Sequence, residues 1–489
     1  MAEHLTALDA TFLELEEADE SAHMHIGGIM VFDRPASGRP PSLKRLAAHL
    51  EERLGALPRY RQRLSAPHTG GLSWPEWQED PGFEVSHNVR RAALPKPGGE
   101  RELSEWSSNY FSQRLDRRRP LWEMVIVEGL EGGRWAIASK THHCMVDGVG
   151  SIDVGYLMLD PEPLQARAGQ RLTGPKRGGA GRQEREHAEQ EVSAPGALGR
   201  IAQAAGSLVP GEAIQHAAQM GLHGALHPRD ALAKARAAVE MIVREELIGA
   251  PHTSLNDPIG TRRRLEVLPV PLTEIREIKN GLGGTVNDVA LTVTTGGLRA
   301  LLESRGERLP ERGLRAMVPM NVRAASEHMA LGNKISSLFI DLPILASDSI
   351  SRFRETAERS LALKSDGRQA AGTTAVIELA GLAPPVIHAS VAQALYARRL
   401  FNLTITNVPG PQQTLYCFGS ALREIRPLVP LAADHAVGVA VLSYDGTVCF
   451  GVVADPDSVP DLDVMLEGMD ATAQDLLAAA RESAGAAVG

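Results

Sequence analysis

A strand that runs directly into two histidines and then a glycine turn is the feature that most limits what this chain can form. From Arg134 to Lys140, Trp135, Ile137 and Ser139 alternate with Ala136, Ala138 and Lys140, the period of a strand. His142 and His143 follow at its end, and Asp147 and Gly148 close the motif. Beyond it Val149, Ile152, Tyr156, Leu157 and Leu159 make a plausible helix face. An imidazole at a strand end has a fixed backbone position and still reaches a cleft. Its neutral form takes a proton from a hydroxyl near neutral pH, which few other side chains do without a large pKa shift. The pair therefore reads as carrying a general base.

At 489 residues the chain is long enough for two or three hydrophobic cores. Its 51 basic and 60 acidic residues give a formal charge of -9, which argues against wholesale nucleic-acid binding while leaving a local basic groove open. Cys144, Cys417 and Cys449 lie far apart with no CxxC pair, so neither a disulfide scaffold nor a structural zinc site is expected, and a reducing compartment follows. Cys144 beside two histidines admits a Cys–His nucleophile, but a small side chain packed against the strand is favoured. The adjacent histidines lack HExxH spacing, and no metal is expected. No apolar run reaches the roughly 18 to 20 residues of a spanning helix. The acidic stretch from Met1 to Glu20 does not resemble an export signal, so a cytoplasmic protein is expected. Peripheral attachment to lipid needs only an exposed apolar face.

Along the chain, an N-terminal domain is expected over 1–165, a linker and helical crossover over 166–254, and a C-terminal domain over 255–489. In the first, Ile26 to Phe32 and Leu121 to Val127 read as strands and Leu43 to Leu57 as an amphipathic helix. Arg59, Arg61 and Arg63 suit either a strand with a basic face or a solvated charge run. Residues 172–199 are charged and aperiodic, like an exposed linker. Asp230 to Glu246 then carries one apolar stripe, Leu232, Ala235, Val239 and Ile242, for packing or for lipid. Later strands are expected over Arg264 to Val270, Leu314 to Pro319, Ser336 to Leu342 and Leu403 to Asn407. Ala436 to Leu442 and Val448 to Val453 frame the turn Tyr444-Asp445-Gly446, a hairpin signal. Asn287 is a candidate helix cap. An Ala/Leu-rich helix over 461–481 ends the chain.

The HHxxxDG stretch from His142 to Gly148 resembles the signature of acyl-coenzyme-A-dependent acyltransferases with a chloramphenicol-acetyltransferase-like fold, which peptide-synthetase condensation domains share. Several other segments narrow the match: Pro120-Leu121-Trp122, Asn256 to Gly260, Thr285 to Val289, Pro319 to Arg323, Gly332-Asn333 and Asn407 to Pro411. They fall in the order of the bacterial wax ester synthase/diacylglycerol acyltransferase family, as do Leu8-Asp9-Ala10 and His23-Met24-His25.

The resemblance implies an α/β protein of two related domains, joined by a long crossover, with a tunnel at their interface. Acyl-coenzyme A would be the acyl-donor substrate, with no other cofactor, and diacylglycerol or a long-chain alcohol the acceptor. His143 would be the general base, with His142 a supporting candidate and Asn287 helping to organise the centre. Asp147 would brace the structure through a salt bridge, Gly148 would let the chain turn, and Asp288 would cap or brace. Pro120, Leu121 and Trp122 would shape the acyl channel, and Arg262, Arg263 and Arg264 are candidates for the coenzyme A phosphates or for a solvated or domain-bracing role. Such an enzyme would work in the cytoplasm, in part attached to the inner membrane or lipid bodies.

Overall fold

The computed structural model describes residues 3–54, 57–65, 75–145, 158–163, 249–321, 335–366, 389 and 400–486. The expected linker and most of the crossover, with the stripe from Asp230 to Glu246, lie outside them. The first half holds β1 (Glu3–His4), α1 (Ala7–Ala18), β2 (His25–Phe32), α2 (Leu43–Leu54), β3 (Gln62–Leu64), β4 (Glu76–Glu79), β5 (Val89–Ala93), α3 (Glu100–Phe111), β6 (Trp122–Glu128) and β7 (Trp135–His142). The second holds β8 (Arg264–Pro271), α4 (Leu272–Leu282), α5 (Val286–Ser304), β9 (Leu314–Asn321), β10 (Ile335–Leu342) and α6 (Ser349–Asp366). It closes with β11 (Leu403–Pro409), β12 (Tyr416–Cys417), β13 (Ser420–Leu428), β14 (Val437–Tyr444), β15 (Thr447–Ala454) and α7 (Leu462–Ala486).

These elements build two α/β domains, each around a six-stranded mixed sheet. The first sheet has the order β12-β13-β2-β7-β6-β5 and the second β10-β9-β11-β14-β15-β8. A small antiparallel sheet, β1-β4-β3, lies beside the first. In the first sheet the strand alternation sorts side chains to two faces, as period two requires. Phe32, Ile126, Trp135 and Ile137 pack with Leu46, Leu50 and Leu54, the buried stripe of α2. Val31, Val125, Ala136 and Ala138 pack with Leu103 and Phe111 of α3. Each fully buried Leu or Phe contributes about 1.5–3 kcal/mol relative to exposure. In the second domain Val439, Val441, Phe450 and Val452 meet Val289 and Leu298 of α5 and Met465 and Leu476 of α7. A Cβ on Gly297 would lie 2.4 Å from Met469 Cγ, so the missing side chain is what lets α5 and α7 close together.

The two domains are interleaved. β13, late in the chain, pairs antiparallel with β2 and so completes the first sheet. Arg426 on β13 is held by Glu100 of α3 at 2.7 Å and by Glu424 at 2.8 Å. On α3, serines spaced four apart face β8, the edge strand of the second sheet. Ser104 Oγ donates to Leu265 O at 2.8 Å, Leu265 N donates to Ser108 Oγ at 3.1 Å, and Arg263 N to Ser112 Oγ at 2.7 Å. Side chains of a helix thus satisfy backbone groups that an edge strand leaves open.

Most expected strands are present within a residue or two. The 436–453 hairpin has Tyr444 opposite Thr447, with positive φ at Asp445 (41°) and Gly446 (83°), the backbone that a two-residue turn demands. Other expectations are corrected. Arg59 and Arg61 lie in a 3-10 turn, Pro58–Arg61, and only Arg63 is in a strand. Their guanidinium groups sit over Trp77 (4.3 Å) and Phe83 (5.5 Å), so ring faces explain those two arginines. The cap of α5 is Thr285, whose hydroxyl accepts from Asp288 N at 3.3 Å, and Asn287 lies inside the first turn. No helix among the described residues is long and apolar enough to cross a membrane.

Candidate active site

β7 ends at His142, opposite His25 at the start of β2. The His142 N–H donates to Leu121 O at 2.9 Å, and that of His143, one residue into the turn, donates to Met24 O at 2.8 Å. Both backbones are therefore fixed by neighbouring chain segments. The side chains part company there. His142 is fully buried, its Nδ1 accepting the Cys144 N–H at 3.1 Å. That bond leaves the ring proton of the neutral form on Nε2, which lies 3.3 Å from Glu16 Oε2. His143 is only half-buried, and its ring stacks on Phe12 of α1 with centroids 3.8 Å apart and planes 13° from parallel.

Glu16, four residues beyond Phe12 on α1, is the buried carboxylate of the centre. It faces His142, lies 3.4 Å from His25 Nε2 through its other oxygen, and takes an ion pair from Arg117 at 2.9 Å. Arg114 bonds the carbonyl oxygens of Glu16 (2.9 Å) and Asp19 (2.8 Å), tying the end of α1 to the segment after α3. Burial alone would raise the Glu16 carboxyl, but hydrogen bonding and charge from His142 and His25 outweigh it and hold it far below its usual range. Burial pushes His25 down to about 4, partly opposed by Glu16. His23 falls to about 3 through burial and the nearby charge of Arg263. Burial, with Asp9 adding to it, raises the Cys144 thiol well above its ordinary value. The thiolate needed for nucleophilic attack is thus disfavoured at this position.

The remaining site residues scatter. Leu121 and Trp122 have 0% and 1% exposure, and Pro120 is buried with them. Trp122 Nε1 donates to Tyr60 O at 2.8 Å, and Asn88 Nδ2 ties the Pro120 and Trp122 carbonyls at 3.1 and 2.7 Å. What the three residues visibly do is pack the core beneath the histidines and receive the His142 N–H.

The arginine triplet has protein partners at each position. Arg262 pairs with Asp457, and Arg264 with Glu266 (3.1 Å) and Asp463 (2.7 Å). Arg263 is buried, and its guanidinium donates to the carbonyls of Gly260 (2.8 Å), Arg262 (2.7 Å) and Ser21. Burial lowers it to about 10. Arg263 thereby ties the second domain to the first, while the Arg262 pair lies at the surface.

Asn287 Oδ1 accepts from Asn407 Nδ2 at 3.4 Å, joining α5 to the end of β11. Asp288 completes a capping box, accepting the Thr285 N–H at 2.8 Å. Asp147 and Gly148 lie outside the described residues. Among the described residues no group of three or more His, Cys, Asp or Glu side chains is placed to hold a metal ion. Sequence reasoning misses Phe12, Glu16 and Arg117 as site residues, and meets His25 only within the family-like segment His23-Met24-His25. A faint signal existed: Phe12 and Glu16 are spaced i, i+4, so an acidic residue shares a helix face with an aromatic one.

Residues 5–290 match the model of the wax ester synthase/diacylglycerol acyltransferase catalytic domain, and residues 331–476 that of the WS/DGAT C-terminal domain. Two similar Mycobacterium tuberculosis proteins bear the names probable diacylglycerol O-acyltransferase tgs1 and tgs2. The first is 30% identical over 477 residues, covering 96% of this chain and 94% of its own. The second is 30% identical over 475 residues, covering 96% and 97%. Among solved structures, the wax ester synthase/diacylglycerol acyltransferase of Marinobacter aquaeolei VT8 superposes with a TM-score of 0.64 at 25% identity, over 98% of this chain and 99% of that one. The first condensation domain of the calcium-dependent antibiotic synthetase shares the fold, with a TM-score of 0.59 at 16% identity over 97% and 96% of the two chains.

Proposed function

The chain belongs to the wax ester synthase/diacylglycerol acyltransferase family, and we propose that it moves a long-chain acyl group from acyl-coenzyme A to diacylglycerol, a fatty alcohol, or both. It is an O-acyltransferase, with His143 as general base. The observation that carries the assignment is the divergence of the two motif histidines. His142 is enclosed against Glu16, whereas His143 is only partly buried on a backbone held by Met24.

In the reaction a His143 ring nitrogen takes the proton of the acceptor hydroxyl as the oxygen attacks the thioester carbonyl carbon. The tetrahedral centre collapses, the C–S bond breaks, and the coenzyme A thiolate leaves with its electron pair. The His143 imidazolium returns the proton to that sulfur, so ester and free thiol form and the enzyme is unchanged. One imidazole serves as base and then acid. No acyl-enzyme is required, in keeping with the buried, protonated Cys144.

Donor and acceptor would approach through a tunnel between the domain of residues 1–165 and that of 255–489. Asn287, paired with Asn407, would organise its second-domain wall, and Asp147 and Gly148 would brace the motif turn. Pro120, Leu121 and Trp122 would support the acyl-binding region from beneath, where each buried methylene of a chain contributes about 0.8 kcal/mol. The enzyme would act in the cytoplasm, partly attached to membrane or nascent lipid bodies, where its acceptors and products partition. A purified-protein assay offering acyl-coenzyme A with diacylglycerol, with a long-chain alcohol and with neither tests the reading. Triacylglycerol or wax ester is the expected product. Release of coenzyme A and free fatty acid alone, whatever the acceptor, would overturn it.

A further inference from the structure

We propose, resting on the reading of His143 as the base, that Phe12 is a positioning residue for acyl transfer. Its ring is the platform that sets the plane of the His143 imidazole, and so the direction of the nitrogen that receives the acceptor's proton. The near-parallel stack, 3.8 Å and 13°, covers one face of the imidazole and sets the plane in which its two nitrogens lie. Rotating the imidazole out of plane would drive its edge into the Phe12 ring, so the stack restricts the ring torsion of a residue whose backbone is held by Met24.

The platform is itself held. Phe12 is 6% exposed and packs with Leu15 of its own helix, with Ala22 and Met24 just before and at the entry to β2, and with Ala432 of the second domain. Met24 thus anchors the His143 backbone through its carbonyl and supports the platform through its side chain. One turn further along α1, Glu16 faces His142 at 3.3 Å. A single helix turn therefore governs both histidines. The stack has an electrostatic consequence as well. An aromatic face attracts a cation, so it favours the imidazolium that exists between taking the acceptor's proton and giving it to sulfur.

The test uses the full chain with Phe12→Leu, Phe12→Met, Phe12→Tyr and His143→Ala. Loss of the platform in Phe12→Leu should lower kcat about 10- to 100-fold with the KM for acyl-coenzyme A nearly unchanged, the pattern of lost orientation. The acid limb of its kcat profile should move to lower pH by about half a unit as the imidazolium loses its ring partner. Phe12→Tyr should restore both. A merely structural Phe12 would depress melting temperature without moving the pH limb. If Phe12→Leu fails to fold, Phe12→Met refills the space without a ring and is read in the same way.

Proton NMR of histidine-labelled protein gives a readout that needs no variant of Phe12. A His143 ring proton over an aromatic face is displaced from its usual shift, and the resonance is identified by its loss in His143→Ala. An undisplaced signal in the wild-type protein, or wild-type kcat and pH profile in a folded Phe12→Leu, would overturn the proposal. If His143→Ala keeps full turnover, the base assignment fails, while the wild-type ring shift still decides the stack.

Discussion

At the end of β7 two identical side chains, one residue apart, are given different work by their surroundings. His142 points into a pocket of Glu16, His25 and the Cys144 N–H, and His143 lies half-open on Phe12. The motif was legible because it is local: the strand alternation and the histidines sit within one short segment. Glu16, His25 and Phe12 were not, because only the pairing of β2 with β7 and the return of α1 bring them there. The partners of the arginine triplet, Asp457, Asp463 and Ser21, are hidden for the same reason, being distant in sequence. Two variants test this level. Cys144→Ala should retain substantial transfer activity in a steady-state assay, with modest loss of packing. Isolation of a kinetically competent acyl-Cys144 would reverse the assignment. Glu16→Gln should lower stability by about 3 kcal/mol in urea melts, because Arg117 and the two imidazoles lose the charge they surround.

At the level of elements, periodicity locates α2, the six strands of the second sheet and three of the six in the first, because their apolar residues face a core on one side. It did not find α1 or α3, whose acidic and serine-rich surfaces dilute the apolar stripe. For α3 the polar face is itself the contact, since Ser104 and Ser108 bond the edge strand β8 and Ser112, at the helix cap, bonds Arg263 just before it. Nor does local sequence reveal that β13 joins the first sheet, as pairing is decided by partners far along the chain. The serine ladder gives a prediction. Replacing all three by alanine should leave two backbone N–H groups and one carbonyl unpaired, and cost about 1 kcal/mol each. Urea unfolding should show a loss of about 2–3 kcal/mol, with early separation of the two domains visible by limited proteolysis. A variant as stable as wild type would mean that water replaces the serines without loss.

For the whole molecule, the buried groups around the centre set a pH dependence of one sign. His23 and His25 are neutral in the fold, lowered to about 3 and about 4, whereas the unfolded chain takes up their protons near 6.5. Acid therefore favours the unfolded chain. Their contribution is complete above about pH 6.5 and is lost as pH falls towards the folded values. Glu16 is depressed, so its contribution is present above its unfolded pKa of 4.5 and lost below it, in the same direction. Stability should fall by about 2 kcal/mol per histidine between pH 6.5 and 5, and His23→Gln/His25→Gln should flatten that slope. Equal urea midpoints for wild type at pH 7 and 5 would contradict it. Lipid attachment belongs to this scale too. Flotation with anionic vesicles at low salt should carry part of the protein upward, and complete absence of binding would remove peripheral attachment from the account.

Proton transfer through His143, while the acceptor's own oxygen attacks the thioester, is the step on which turnover depends. It is tested most directly by turnover of wild type and His143→Ala on acyl-coenzyme A with diacylglycerol or long-chain alcohol, after both are verified as folded. Ester product is expected from wild type, with a loss of roughly 100- to 10,000-fold in His143→Ala, the usual worth of a proton-transfer catalyst. Ester formed by His143→Ala at the wild-type rate would contradict it.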